Sequence, residues 1–310
     1  MTRGLKVLGF AIAALALHTG AARADMTKIA IGTGFSSDTL AMHMAKQAGI
    51  FEKNGLDATV KSINGASAMM SGLFAGDLQF IFSNQAQLLN GVNGGLDLLV
   101  VAGGAITTVE NDPIGLVLGT DVAYAKPADL LGKKIGTAGF DSGTYMLFRA
   151  WLELKGVDYQ KVDLVESPVP SMEDLLRAHQ VDGVTAVDPF LTKMVTDGVG
   201  RVAEKYYTQV LATQPSIFWV SSRQYVGAHA DAVRAFQVSL QQGAAYVHAH
   251  PDEARALELK LFNSNKPNLP NDNPTVTAAD LQAYYDIGKK LGMYTKTIDC
   301  AKLIYADQKQ

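Results

Sequence analysis

Short apolar strands, each running into a polar loop and then a helix, recur along this chain and restrict it to few folds. Residues 28–32 (KIAIG) form the first, followed by Thr33-Gly34-Phe35-Ser36-Ser37-Asp38 and a predicted helix over 39–48 closed by Gly49. Residues 56–61 alternate as a strand with one buried face does, and Asn64-Gly65-Ala66-Ser67 leads into a helix carrying Met69, Met70, Leu73 and Phe74. The pattern repeats in 78–82, Ser83-Asn84-Gln85 and a helix over 86–92, then in a strand over 96–102. After a break at Glu110-Asn111-Asp112-Pro113 come a strand over 114–118, a short helix over 126–131 and strands at 135–137, 162–165 and 184–187. Ser171 to Asp174 has capping-box spacing ahead of Leu175. Residues 217–220 are the last clear strand. Helices follow over 231–250, 252–262 and 278–291, with the Asn- and Pro-rich 263–274 as a surface loop. This alternation predicts an α/β fold with parallel, doubly wound sheets.

The order is βα units, a second set of βα units, a returning strand, then helices. A chain that leaves one α/β lobe and returns crosses twice, here near Pro113 and near Pro215. The expected division is a first lobe of 25–112 with 218–310 and a second of 113–217. Two such lobes place a cleft between facing strand ends, where ligand pockets concentrate.

Residues 1–24 stand apart. Arg3 and Lys6 precede an apolar run over 7–17, and Ala22-Arg23-Ala24 has the small-x-small form of a cleavage site. This reads as a cleavable secretory signal, too short to span a bilayer, with Asp25 as the new N-terminus. No cysteine stands at the cleavage point, which argues against a lipid anchor. The chain carries 27 Lys and Arg against 30 Asp and Glu, a net charge of −3. Losing Arg3, Lys6 and Arg23 makes it more acidic, which disfavours nucleic acid and anionic membrane as partners. Cys300 is the only cysteine, so there is no disulfide framework and no cysteine zinc cluster. It reads as a half-buried residue of the tail.

Residues 134–155 (KIGTAGFDSGTYMLFRAWLELK) hold the unit with the most specific chemistry. A strand passes through Phe140-Asp141-Ser142-Gly143-Thr144 into a helix with apolar Met146, Leu147, Ala150, Trp151 and Leu154. Ser142 or Thr144 suits the N-cap, and Gly143 lets the backbone approach a ligand. A helix starting at a strand's carboxyl end is a ready anion site, or else an ordinary connection. Arg149 lies further along this helix and is expected in a structural salt bridge. Catalytic motifs fail on spacing. Gly32-Thr33-Gly34 is followed by Ser37 where a dinucleotide fingerprint needs glycine, and Gly139 to Gly143 reads GxxSG rather than GxSxG. His248 and His250 face different sides of a helix end. No motif asks for a metal, a cofactor or a catalytic group.

KIAIGTGFSS with AMHMAKQAGIFEKNGLDATV resembles the opening of periplasmic solute-binding proteins of nitrate/sulfonate/taurine-type ABC transporters. The similarity continues in LFAGDLQFIFSNQAQLL, DLLGKKIGTAGFDSGT and VDGVTAVDPFLTKM, and ends in the helical tail with His250-Pro251-Asp252-Glu253-Ala254. It implies a two-lobed, type II periplasmic-binding fold, no catalysis, and a monomeric exported protein that docks on an inner-membrane permease. It also implies that the loops after successive strands hold the ligand: Phe35-Ser36-Ser37, Asn64 to Ser67, Ser83-Asn84-Gln85, Phe140 with Ser142-Gly143-Thr144, and Asp188-Pro189-Phe190. A small organic anion, sulfonate or carboxylate, is the expected ligand. Binding of a pyrimidine or thiamine precursor is the alternative, and an enzyme on the same fold a more distant one. Asp38, Asp141 and Asp188 are expected to cap helices, unless one faces a ligand ammonium or aminopyrimidine.

Overall fold

The computed structural model describes residue 1 and residues 26–63, 65–262, 269–273 and 275–306. The expected export signal, Asn64 and part of the 263–274 loop lie outside the described residues. In chain order the elements begin β1 Thr27–Thr33, α1 Leu40–Gln47, α2 Ile50–Lys53, β2 Leu56–Ser62, α3 Ala66–Ala75, β3 Phe80–Ser83, α4 Gln85–Asn93 and β4 Leu98–Thr108. The middle of the chain gives β5 Ile114–Gly119, β6 Lys134–Thr137, α5 Gly143–Leu154, β7 Asp163–Glu166, α6 Met172–Arg177, β8 Gly183–Val187, α7 Phe190–Thr196, β9 Gly200–Glu204 and α8 Tyr206–Val210. The last part gives β10 Thr213–Ser222, α9 Arg223–Ala228, α10 Ala230–Ala249, α11 Pro251–Phe262, β11 Asp272–Asn273 and α12 Ala278–Lys290.

The strands form two sheets, ordered β11-β4-β10-β3-β1-β2 and β7-β6-β8-β5-β9. The sequence predicts parallel sheets, but both are mixed. β1 runs parallel to β2 and β3, and β6 parallel to β7 and β8, as helical crossovers require. The exceptions are the two strands that arrive from the other sheet and the short β11, antiparallel to β4 at the edge. β10 inserts antiparallel between β3 and β4, and β5 antiparallel between β8 and β9. No crossover helix dictates their direction, so hydrogen bonding to two neighbours fixes it. The same pairing extends β4 to Thr108, beyond the apolar run that marks it in the sequence. β9, α8 and α9 were not legible in the sequence. Ser171, expected to open a capping box, makes no side-chain capping bond.

Helices cover both faces of the first sheet. On one face Met42 and Ala45 of α1, Phe51 of α2 and Val233 and Phe236 of α10 pack on Ile31, Phe80 and Trp219. The Phe80 and Phe236 rings stack with centroids 3.9 Å apart. Truncating a ring so buried, Phe236→Ala, costs about 3–5 kcal/mol. α10 closes tightly on α1, where a Cβ on Gly243 would lie 2.3 Å from the Ala41 carbonyl oxygen. On the other face Leu73 of α3, Leu88 of α4 and Tyr284 of α12 join a core that continues into α5 and α8 beside the second sheet. The Tyr207 and Tyr284 hydroxyls meet at 2.7 Å within that shared core. The first crossing is tied to α8, which leads into the second. Asp112 accepts bonds from Ile114 N at 2.9 Å and Thr208 Oγ1 at 2.8 Å. These contacts set the strand ends of the two sheets against each other.

Candidate functional site

A cavity of about 160 Å³ lies where those strand ends meet. Phe35, Ser36 and Asp38 reach it from the loop after β1, and Asn84 from the loop after β3. Asp141, Ser142, Gly143 and Thr144 enter from the second sheet, at the head of α5. Met69, Phe82, Val187 and Ile217 give it apolar walls, and Tyr207 and Ser216 add hydroxyls. Ser67 and Phe140 stand outside, lining a wider depression that shares Gly65, Ala66, Ala138 and Asp141 with the cavity.

The remaining expected residues serve other contacts. Ser37 donates to the buried Glu258 carboxylate, and its N–H reaches Asp188 O at 3.5 Å. Ser83 is buried in β3 with its hydroxyl toward Asn84 O, and Gln85 Nε2 donates to Pro215 O at 2.7 Å. Asp188 accepts from Thr192 N at 3.0 Å and Thr192 Oγ1 at 2.7 Å, so it caps α7. Phe190 packs against the small core beneath β5 and β8. None of these five lines the cavity. Each is instead held by its own contact in the body of its sheet or helix, and the cavity is lined by the neighbours left free to face the other sheet.

The head of α5 is ordered by its own hydroxyls. Ser142 is the N-cap, accepting Tyr145 N at 3.1 Å, while Ser142 Oγ donates to Gly139 O at 2.6 Å. One hydroxyl proton cannot serve two acceptors, so in the 3.0 Å contact between Ser142 Oγ and Thr144 Oγ1 threonine is the donor. Both protons are thereby used within the loop. The N–H groups of Gly143 and Thr144, first in the helix, have no intrahelical acceptor. Asn90 Nδ2 ties this loop to α4 through Asp141 O at 3.3 Å. A Cβ on Gly143 would press on the Tyr207 hydroxyl at 3.2 Å and touch Asn84 at 3.6 Å, so a larger side chain there has little room.

The charge inventory is one-sided. Asp38 and Asp141 line the cavity, and no Lys, Arg or His does so among the described residues. Asp38 is 8% exposed. Burial pushes its carboxyl up to about 6, the Ser216 and Ser36 hydroxyls oppose this, and the charges of Asp188 and Asp272 add to it. Burial also raises Asp141, a backbone hydrogen bond opposes that, and Glu166 adds to it. Arg149 lines the adjoining depression rather than the cavity. Instead of the expected salt bridge, its guanidinium lies 3.9 Å from the Tyr159 ring centroid and donates to Leu291 O at 3.3 Å. Cys300 is buried and its thiol is pushed up to about 11 by burial, which makes it a poor nucleophile.

Sequence reasoning found the loops but missed Tyr207, Ser216 and Ile217, which belong to α8 and to the returning strand. Their one signal is the pattern of residues 206–219, where aromatic pairs flank Pro215 at the expected second crossing.

A family model described as NMT1/THI5 like matches residues 36–254. No curated protein sequence matches the chain. Among solved structures, the periplasmic nitrate-binding protein NrtA from Synechocystis PCC 6803 superimposes with a TM-score of 0.78 at 13% identity, over 92% of this chain and 87% of that one. The alkanesulfonate-binding protein SsuA from Xanthomonas axonopodis pv. citri, bound to MOPS, gives 0.77 at 18% identity, over 91% and 99%. The periplasmic aliphatic sulphonate binding protein SsuA from Escherichia coli gives 0.74 at 16% identity, over 91% and 98%. At these identities the likeness is one of fold, and the fold is that of periplasmic binding proteins.

Proposed function

The chain belongs to the NMT1/THI5-like family, and from that premise we propose that it captures a small solute between its two sheets for delivery to an inner-membrane ABC permease. In this reading 25–112 with 218–310 and 113–217 act as two lobes that close on the ligand about the two crossings. Residues 1–24 act as the export signal and place the mature protein, as a monomer, in the periplasm. No helix among the described residues is long and apolar enough to cross a membrane. The similar structures are binding proteins rather than enzymes, which supports a transport role without catalysis.

The ligand class follows from the charge inventory. A cavity whose charged groups are Asp38 and Asp141 favours a solute that brings N–H donors and an apolar body: an amine or an amino-substituted heteroaromatic ring, pyrimidine precursors included. Met69, Phe82 and Ile217 would cover the body, and Asp38 would accept from the donor group. An organic anion is the competing reading. It would rely on the Gly143 and Thr144 N–H groups and would share the cavity with two carboxylates.

A thermal-shift screen of sulfonates, nitrate, aromatic carboxylates, alkylamines and aminopyrimidines separates the two. A true ligand at 100 times its Kd adds about 2.7 kcal/mol to stability. The reading predicts stabilisation by amines or aminopyrimidines that is lost in Asp38→Asn. Stabilisation by sulfonates or carboxylates alone would overturn the ligand class, and stabilisation by none of them would remove its support.

A further inference from the structure

A second cavity, of about 320 Å³, lies within the helix layer of the first sheet, between α1, α10, β4 and Trp219 of β10. It shares one residue with the cleft, Asp38, and otherwise has its own lining. Its volume falls in the range of small-molecule sites. The walls are apolar: Met42 and Trp219 are each 1% exposed, and Val101, Ala102 and Leu240 stand beside them. The polar end comes from β11 and α10. His248 Nε2 stands 2.9 Å from Asp272 Oδ2, and among the described residues neither of the buried Asp272 oxygens has a hydrogen-bond partner. Arg234 and Gln241 also border the space.

A buried carboxylate oxygen without a donor is a costly feature, and native proteins rarely keep one without a use. Here it belongs to a residue at the polar end of a cavity whose other walls would cover an aromatic ring. Arg234 already supplies positive charge beside the space, so the space does not demand a cation. Benzoate-like anions would meet Asp272 and Asp38 together and are disfavoured.

We propose that this cavity is a second ligand site, which takes a small aromatic molecule with its ring against Trp219 and Met42 and one hydroxyl or amino group donating to Asp272. The site is independent of the ligand class assigned to the cleft. The two spaces meet at Asp38, which borders both.

The chain has two tryptophans, and Trp219 lines this cavity while Trp151 belongs to α5. Intrinsic fluorescence therefore reports on the site. Benzyl alcohol and benzylamine, titrated into the full protein, should produce a saturable change in emission that disappears in Trp219→Phe. Benzoate should produce none. Asp272→Ala should weaken binding at least tenfold, and Ala244→Leu, which fills the cavity from α10, should abolish it. Ala244→Leu serves as the deciding variant if Asp272→Ala does not fold. No saturable change with either probe, equal binding by benzoate, or undiminished binding in Ala244→Leu overturns the proposal.

Discussion

On the first-sheet side the cleft ends at Asp38, a buried carboxyl pushed up to about 6. On the second-sheet side it ends at the head of α5, where the Ser142 and Thr144 hydroxyl protons are already used inside their own loop. One wall holds an acceptor under strain from burial, and the other holds two backbone donors in a satisfied, rigid turn. The difference teaches where selectivity should reside. Under the proposed function, the first-sheet wall would set which charge a ligand can carry, and the second-sheet wall would set its shape and supply closure.

The sharpest break of this comparison is Asp38→Asn. If a ligand N–H group pairs with the buried carboxylate, removing the charge should lower amine affinity at least 100-fold, since breaking a buried pair costs about 3–5 kcal/mol. The same change should stabilise the unliganded protein. Asp38 has its folded pKa raised from 3.8 to about 6, so the folded state binds the proton more tightly than the unfolded chain. The stability this contributes is present below about pH 4 and is lost as pH rises through about 6. At pH 7 the ionised group therefore costs on the order of 3 kcal/mol, which asparagine would not. Denaturant melts of both proteins at pH 3 and pH 7 check this: the gap should open only at the higher pH. A constant gap would mean Asp38 is not the titrating group.

Gly143→Val comes next. A branched side chain there presses on Tyr207 and Asn84 and covers the helix-head N–H groups, so binding of any cleft ligand should weaken at least tenfold. Calorimetry on the screened ligand measures it, and unchanged affinity would place the ligand away from α5. Ser142→Ala is the smallest. Its hydroxyl caps α5 rather than facing outward, so the expected cost is about 1 kcal/mol of stability, with affinity changed less than about threefold. A large affinity loss in a protein of normal stability would return the hydroxyl to the ligand and blur the two walls.

The second-sheet wall was the more legible from sequence. Strand, Gly139 to Thr144 and the amphipathic α5 follow one another within 22 residues, and the Ser142 cap lies where local rules place it. What those rules could not give was the use of its protons, which depends on the Gly139 carbonyl turning back. The first-sheet wall was legible only as a loop. Asp38 fits a helix-first-turn role by its spacing, and it does sit in a short 3-10 turn capped by Ser36. Its burial comes from β10, which returns from the other sheet and brings Ser216 alongside. No local window contains that information. The same holds for the mixed sheets, because β5 and β10 take their direction from partners about 65 to 140 residues away.

The proposed function turns on Asp38 setting the charge of the ligand. Titration calorimetry with two solutes of one carbon skeleton, one ending in an amine and one in a sulfonate, tests it on the wild-type protein at pH 7.5 and pH 5. The amine should bind, its affinity should fall as pH drops below about 6 because the carboxyl takes up a proton, and the sulfonate should not bind at either pH. Tighter binding of the sulfonate, unaffected by Asp38→Asn, would contradict it.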